Sequence, residues 1–277
     1  MRQERRRLDR TRIRVVATDL DGTLLREDGS ISARTRTAIA RIQQAGLVFV
    51  LVTARPPRYL RRLAEAEGFV GLAICCNGAL VYDLDGGMIV RHTPLSGEIA
   101  TRLVTELREA VPGVSFAVEA GDRYGWEPAY AAFTGVLIEP GGVTDDVLVF
   151  CREPITKLIV RHPGYVADTL LPLVRQVAGE DANVTHSSAA FVEVSAAGVQ
   201  KAVALADLCA ALGRSAAETI AFGDMPNDLP LLNWAGYAVA VANAHPEVLL
   251  MVDEVTLANQ DDGVALILER LLEAPAL

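Results

Sequence analysis

Two apolar runs that flank one helical stretch constrain the fold of this chain more than any other feature. Residues 13–18 and 47–52 are mostly apolar and rich in β-branched side chains, as in strands that are buried on both faces of a sheet. Residues 32–45 between them predict a helix that Ser30 or Ser32 opens and Gly46 closes. The order strand, helix, strand therefore predicts an α/β fold with a Rossmann-like core of parallel strands.

The middle third has a different pattern, which predicts an inserted domain. A helix is predicted at 59–67, before a third apolar run at 72–76. After that run, strands are predicted at 79–82, 88–91, 114–118, 147–150, 155–161 and 191–194, and helices at 96–111 and 165–178. The parallel-sheet pattern returns with a helix from 199 to 212, strands at 219–222 and 237–241, and a helix at 264–272. The 277 residues thus suit a flexible basic arm over 1–12, a core domain over 13–82 and 190–277, and an α+β cap domain over 83–189.

The distribution of charge and of cysteine disfavours several classes of protein. The net charge is −9 although residues 1–14 contain seven arginines, so the body of the chain is strongly acidic and would repel nucleic acid. No apolar stretch approaches the roughly 20 residues that cross a bilayer. Neither the four cysteines nor the four histidines have the spacing of a transition-metal site. We expect a cytoplasmic protein with no nucleic-acid or membrane partner.

Two carboxylates directly follow the first apolar run. Asp19 and Asp21 are separated by one residue, and the chain turns at Gly22. A carboxylate at the end of a buried strand can attack a substrate or bind a metal, while one that the turn swings outward can reach a leaving group. The spacing alone is equally compatible with an acidic turn of no catalytic role. The segments that follow favour the catalytic interpretation.

Further along the chain, two segments carry residues that suit phosphate binding. Thr53 ends the second apolar run, and its hydroxyl together with the backbone N–H groups of the Thr53-Ala54-Arg55 segment can hold a phosphate oxygen. Lys201 stands near the start of a predicted helix, where its ammonium and the positive end of the helix face an anion together. Each of these features is weak evidence when it is taken alone.

Segment 223–228 supplies ligands of another kind. Asp224, Asn227 and Asp228 lie in a predicted strand-to-helix turn, and hard oxygen atoms in such a turn suit Mg²⁺. Asn77 lies in an Asn-Gly turn after the third apolar run. Polar side chains therefore follow several of the predicted core strands.

These segments, in this order, resemble the haloacid dehalogenase superfamily of phosphohydrolases. Residues 19–23 look like its first motif, Thr53 its second, Lys201 its third and residues 223–228 its fourth. The long insert, together with residues 76–79, 198–201 and 243–247, is similar to the Cof-like branch, which carries a large α/β cap. The resemblance covers about residues 13–270. Ala202 departs from it, because that branch commonly has Gly after the lysine.

The resemblance implies a role for each matching position. Asp19 would be the nucleophile that forms an aspartyl-phosphate, and Asp21 would protonate the leaving oxygen and then activate water. Mg²⁺ would be held by Asp19, the backbone carbonyl of Asp21 and Asp224, with Asp228 as a further ligand or as an orienting group. The candidates for binding the phosphoryl group or the substrate are Thr53, Lys201, Asn227, Gly22, Ala54, Arg55 and Asn77.

The expected function is therefore removal of phosphate from a small phosphorylated metabolite, such as a sugar phosphate or a phosphorylated cofactor. The second carboxylate argues against a dehalogenase, and the lack of membrane spans argues against a P-type ATPase. A phosphomutase, a phospho-acceptor regulator and a metabolite-binding relative without activity remain as alternatives. The expected partner is a small phosphomonoester, and the chain would act as a monomer or a homodimer.

Overall fold

The computed structural model describes residues 6–132, 142 and 144–273. Its strands are β1 (Val15–Thr18), β2 (Val48–Val52), β3 (Leu72–Cys75), β4 (Leu80–Asp83), β5 (Met88–His92), β6 (Ser115–Ala120), β7 (Arg123–Trp126), β8 (Lys157–Arg161), β9 (Ala182–Ser188), β10 (Phe191–Ala196), β11 (Thr219–Gly223), β12 (Tyr237–Ala240) and β13 (Glu254–Val255). Its helices are α1 (Ala33–Gln44), α2 (Pro57–Glu67), α3 (Gly97–Ala110), α4 (Pro128–Ala131), α5 (Ala167–Ala178), α6 (Lys201–Ala211), α7 (Leu229–Trp234), α8 (Pro246–Leu249) and α9 (Gly263–Leu272).

The larger sheet has the strand order β13-β12-β11-β1-β2-β3-β4-β5, and its pairs from β13 to β3 are parallel. Every residue of β1, β11 and β12 is buried, as continuous apolar strands in a covered parallel sheet require. The α/β fold with a parallel-sheet core is thus confirmed. The side chain of Ser32, rather than Ser30, caps α1 by accepting a hydrogen bond from the backbone N–H of Thr35 at 2.9 Å.

The second sheet has the order β7-β6-β8-β10-β9, and its paired strands are antiparallel. One hydrophobic core joins this sheet to α3 and α5, and Leu103, Phe116 and Leu170 lie within it. Such an arrangement is the α+β layer that the sequence predicts. The strands β7 and β9 contain polar or charged side chains in place of a continuous apolar run, and the sequence pattern did not reveal them.

The chain divides into two compact units, which comprise residues 1–55, 59–88 and 200–277, and residues 56–58 and 89–199. The boundaries expected from the sequence, 82/83 and 189/190, lie a few residues earlier in the chain. The first difference arises because the whole of β4, Leu80–Asp83, pairs with β3 and so belongs to the larger sheet. The strand predicted at 79–82 therefore extends the larger sheet instead of opening the second one.

One predicted strand is wrong. Residues Val147–Val149 form a single helical turn in place of the strand predicted at 147–150. The Asp146 carboxylate accepts a hydrogen bond from the backbone N–H of Leu148 at 2.9 Å and so caps this turn, while Val147 is buried in the core. A local side-chain hydrogen bond has therefore overridden the β propensity of the valines.

The N-terminal segment makes specific contacts from residue 6 onward. The Arg6 guanidinium donates to both carboxylate oxygens of Asp253 at 3.1 and 2.7 Å, and Arg10 donates to the backbone carbonyl of Arg270 at 2.9 Å. Arg6 and Arg10, within the flexible arm expected over 1–12, thus make defined contacts, since a cationic partner offsets the cost of burying the Asp253 carboxylate. Residues 1–5 of that arm lie outside the described residues. Within the described ranges, every helix is too short or too polar to cross a lipid bilayer.

Candidate active site

Three adjacent parallel strands bring the candidate residues to one edge of the larger sheet. The strands β11, β1 and β2 are neighbours, and they lead directly into Asp224, Asp19 and Thr53 respectively. Because the carboxyl ends of parallel strands meet at the same edge, these three side chains converge there. All three residues are buried.

Lys201 links two of the carboxylates. Its Nζ lies 2.6 Å from an oxygen of Asp19 and 2.6 Å from an oxygen of Asp228, and its side chain is 1% exposed. Lys201 is the first residue of α6, so the helix fixes the base of the side chain and the two carboxylates fix its tip. A lysine in a first helical turn is usually solvated, whereas this one is part of a buried ionic cluster.

Asp228 also stabilises the turn to which it belongs. One of its oxygens accepts hydrogen bonds from the backbone N–H groups of Asp224 at 3.0 Å and Met225 at 3.1 Å, while the other accepts from Lys201. The carboxylate is fully buried. Three hydrogen bonds therefore hold Asp228 in place, and through the turn they also fix Asp224.

Gly22 and Thr23 shape the other side of the Asp224 carboxylate. The Thr23 hydroxyl donates to it at 2.7 Å. Gly22 has a φ of +76°, and a Cβ at that position would lie 2.4 Å from an oxygen of Asp224. Glycine is thus required both by the left-handed backbone and by the close approach of the carboxylate.

The charges of this cluster do not balance. The carboxylates of Asp19, Asp224 and Asp228 offer oxygen atoms within 4.8 Å of one another, and they face the single ammonium of Lys201. Burial, and then the neighbouring Asp228 charge, raise the pKa of Asp224 to about 7. Burial likewise raises the pKa of Asp19 well above its usual range, against the opposing effect of Lys201. Burial alone would lower the pKa of Lys201, but Asp19 and Asp228 raise it.

A divalent cation fits this arrangement. Three buried carboxylates with one counter-charge leave an excess of negative charge, which a cation among them would neutralise. Carboxylate oxygens are the ligands that hard cations such as Mg²⁺ prefer. The buried aspartate cluster therefore suits a metal ion, and the oxygen-only donor set disfavours a thiophilic one.

The second carboxylate of the first motif has a different environment. Asp21 is about half exposed, and Arg55 donates to both of its oxygens, the Nε contact measuring 2.7 Å. The backbone N–H of Arg55 in turn donates to the Thr53 hydroxyl at 3.1 Å. Arg55, expected to contact substrate, is thus paired with Asp21 in this structure, and Ala54 lies between it and Thr53.

Two asparagines meet near the fourth motif. The Nδ2 of Asn227 donates to the Oδ1 of Asn77 at 3.1 Å, and both side chains are buried. The backbone N–H of Asn77 donates to the carbonyl oxygen of Thr53 at 3.0 Å. Asn77 therefore contacts both the second and the fourth motif.

Comparison with known proteins identifies the family of this chain. The profile of the family described as haloacid dehalogenase-like hydrolase matches residues 16–268 of this chain. The chain belongs to that family. The resemblance drawn from the sequence is thus confirmed, and the chain is a hydrolase by family.

Relatives of this haloacid dehalogenase-like hydrolase match it over most of its length. A 5-amino-6-(5-phospho-D-ribitylamino)uracil phosphatase of Bacillus subtilis is 28% identical over 91% of this chain and 93% of its own. A pyridoxal phosphate phosphatase of Escherichia coli is 27% identical over 91% and 96%. A solved haloacid dehalogenase-like hydrolase from Bacteroides thetaiotaomicron superposes with a TM-score of 0.76 at 28% identity, over 94% of this chain and 100% of the other.

Two further residues of this haloacid dehalogenase-like hydrolase contact the site, and the sequence motifs alone did not identify them as site residues. Thr23 bonds to Asp224, and the Nδ2 of Asn243 donates to the carbonyl oxygen of Gly22 at 2.7 Å. Thr23 lies within the first motif and Asn243 within the 243–247 segment. Their position beside the motif residues is the sequence feature that could have identified them as site residues. Their hydrogen-bond partners depend on tertiary contacts between segments more than 200 residues apart in sequence.

Proposed function

We propose that this chain is a Mg²⁺-dependent phosphohydrolase that removes phosphate from small phosphorylated metabolites through an aspartyl-phosphate intermediate. The observation that carries the proposal is the buried Lys201 ammonium, 2.6 Å from both Asp19 and Asp228 at the carboxyl edge of the parallel sheet. A fixed cation beside a nucleophilic carboxylate is what an incoming phosphoryl group requires.

The reaction has two steps in this proposal. An oxygen of Asp19 attacks phosphorus in line, the bond from phosphorus to the ester oxygen breaks, and Asp21 gives its proton to the departing oxygen. Water then attacks the aspartyl-phosphate, Asp21 takes a proton from that water, and the bond between phosphorus and Asp19 breaks. Inorganic phosphate leaves, and both carboxylates return to their starting states.

The residues around Asp19 supply binding and charge stabilisation. Lys201, the Thr53 hydroxyl and nearby backbone N–H groups would bind the phosphoryl oxygens, on which negative charge spreads in the transition state. Mg²⁺ would be held by Asp19, the carbonyl oxygen of Asp21 and Asp224, and when bound it neutralises phosphoryl charge. Asp228, with three hydrogen bonds already formed, would orient Lys201 and the turn rather than bind the ion directly.

The Arg55–Asp21 pair would separate during this cycle. The Arg55 guanidinium occupies both oxygens of Asp21, the atoms through which Asp21 would transfer a proton. The dianionic phosphoryl group of a substrate competes for the same guanidinium. We infer that substrate binding draws Arg55 toward the phosphoryl group and so releases Asp21 for proton transfer.

The substrate class is supported by the relatives. One is named for a ribitylaminouracil phosphate and another for pyridoxal phosphate, which share a phosphate ester on a small polar molecule. We therefore propose sugar phosphates and phosphorylated cofactors as the substrates to test first. The cytoplasmic location and the monomeric or homodimeric state stay predictions.

The test is phosphate release from a panel of small phosphomonoesters, with Mg²⁺ and with EDTA. Wild type should release phosphate only with the metal, and Asp19→Asn should lower the rate roughly 1,000-fold or more. Asp207→Asn, which removes an exposed carboxylate on α6, is the matched control and should retain activity.

Two other results would overturn the proposal. Release of no phosphate from any ester, with a stable label on Asp19 after treatment with acetyl phosphate, would indicate a phospho-acceptor regulator. Movement of phosphate between positions of a sugar phosphate, without free phosphate, would indicate a phosphomutase.

A further inference from the structure

The turn Cys76–Gly78 has an unusual backbone. Its three residues have φ values of +50°, +57° and +104°, and only the last is glycine. Residues with side chains rarely adopt this left-handed region, and two in succession persist only where the surrounding structure enforces them. Such a turn therefore calls for an explanation beyond the connection of β3 to β4.

Neighbouring segments of the active site hold this turn in place. The backbone N–H of Cys76 donates to the carbonyl oxygen of Arg55 at 3.1 Å, and that of Asn77 donates to the carbonyl oxygen of Thr53 at 3.0 Å. On its other side, a Cβ added at Gly78 would lie 2.4 Å from the carbonyl oxygen of Gln200, the residue before Lys201. The turn therefore packs between the segments that carry Thr53 and Lys201.

From this position the Asn77 side chain fixes the amide of Asn227. The Oδ1 of Asn77 accepts a hydrogen bond from the Nδ2 of Asn227 at 3.1 Å, and this bond holds the Asn227 amide in one orientation. The Oδ1 of Asn227 is buried and has no hydrogen-bond partner among the described residues. A buried carbonyl oxygen that lacks a donor within the protein is rare, and a bound ligand can supply the missing donor.

Phosphoryl oxygens without a proton can accept hydrogen bonds but cannot donate them. The unpaired oxygen of Asn227 therefore calls for a different part of the ligand, namely a hydroxyl or amine N–H near the phosphate. The Nδ2 of Asn227 donates one of its two hydrogens to Asn77, so the other can be donated to an acceptor on the ligand.

We propose that Asn77 is a positioning residue, which aims the amide of Asn227 so that its unpaired oxygen accepts a hydrogen bond from a hydroxyl or amine of the substrate. This inference rests on the proposed phosphohydrolase function. This hydrogen bond would favour, among small phosphomonoesters, those that carry a donor group close to the phosphate, such as phosphorylated polyols and sugars.

The first test observes Asn227 without any activity measurement. The side-chain amide signals of Asn227 in ¹⁵N-labelled protein are assigned by their absence from Asn227→Ala. Asn77→Gly keeps the left-handed turn, because glycine adopts it freely, but removes the acceptor. Asn77→Asp keeps an oxygen acceptor of the same size.

The glycine variant should shift these signals and make hydrogen exchange of the amide roughly 10-fold faster, whereas the aspartate variant should preserve its protection. Signals that Asn77→Gly leaves unmoved would overturn the positioning role.

The second test is a double-mutant cycle on kcat/KM with two esters, the best hydroxyl-bearing substrate of the panel and p-nitrophenyl phosphate, which has no such donor. Asn77→Gly should lower kcat/KM at least about 5-fold more for the first ester than for the second. In an Asn227→Ala background it should have no further effect. Additive effects of the two substitutions, or equal losses on both esters, would overturn the proposal.

Failure of the proposed phosphohydrolase function would give a different result from failure of the proposed role of Asn77. If wild type releases no phosphate from any ester, the phosphohydrolase proposal fails, while the amide signals still decide whether Asn77 positions Asn227. Urea unfolding of each variant separates a general loss of stability from a local effect on the amide.

Discussion

Replacing Asp224 by Asn should stabilise the metal-free protein at neutral and alkaline pH. The Asp224 carboxylate is buried beside Asp228, and burial followed by that neighbouring charge raises its pKa to about 7 from an ordinary value of 3.8. Asparagine has nearly the same shape and keeps an oxygen that can accept from Thr23. The substitution therefore removes the charge and leaves the packing in place.

The expected magnitude follows from the pKa difference between the folded and unfolded chains. Between about pH 4 and pH 7 the folded chain keeps a proton that the unfolded chain has released. The stability contributed by this carboxyl is thus complete below pH 3.8 and is lost as the pH rises through about 7. A difference of about three pH units corresponds to on the order of 4 kcal/mol. Asp224→Asn should gain up to that amount over wild type at pH 8 and nothing near pH 4.

The assay is urea unfolding followed by circular dichroism from pH 4 to pH 8.5 in EDTA. Asp207→Asn, at an exposed position, should leave the slope of stability against pH as in wild type. Mg²⁺ at 100 times its dissociation constant should restore about 2.7 kcal/mol to wild type and less to Asp224→Asn. An Asp224→Asn protein that is less stable than wild type at pH 8 in EDTA would refute this account of the cluster.

Two further substitutions test individual contacts. Gly22→Ala should destabilise the protein by about 1–3 kcal/mol and lower kcat at least roughly 10-fold, because its Cβ would lie 2.4 Å from the Asp224 carboxylate at a φ of +76°. Wild-type phosphate release by this variant would contradict the close approach. Arg6→Ala should lower the free energy of unfolding by about 1–3 kcal/mol, since it removes a cation that pairs with the buried Asp253. An unchanged urea midpoint would show that this contact contributes nothing to stability.

The motif residues could be predicted because each follows a strand that its own sequence defines. Asp19, Thr53 and Asp224 come directly after apolar runs, and parallel strands place such residues at one edge. Lys201 needed the resemblance to a family, because a lysine at the start of a helix does not by itself indicate a buried ion pair. The strands β7 and β9 escaped prediction because their alternation is weak, and residues 147–150 were misassigned because a side-chain cap outweighed their β propensity.

The sequence by itself determined the class of fold and the residue types of the candidate site, since hydrophobic periodicity and residue type are local properties. The partners of each side chain were decided only by the tertiary structure. Asp228 holds Lys201 and its own turn, Arg55 engages Asp21, and Asn77 fixes an amide 150 residues away. The physical reason is that a hydrogen bond depends on distance and direction, which packing sets to within a fraction of an ångström and sequence spacing does not contain.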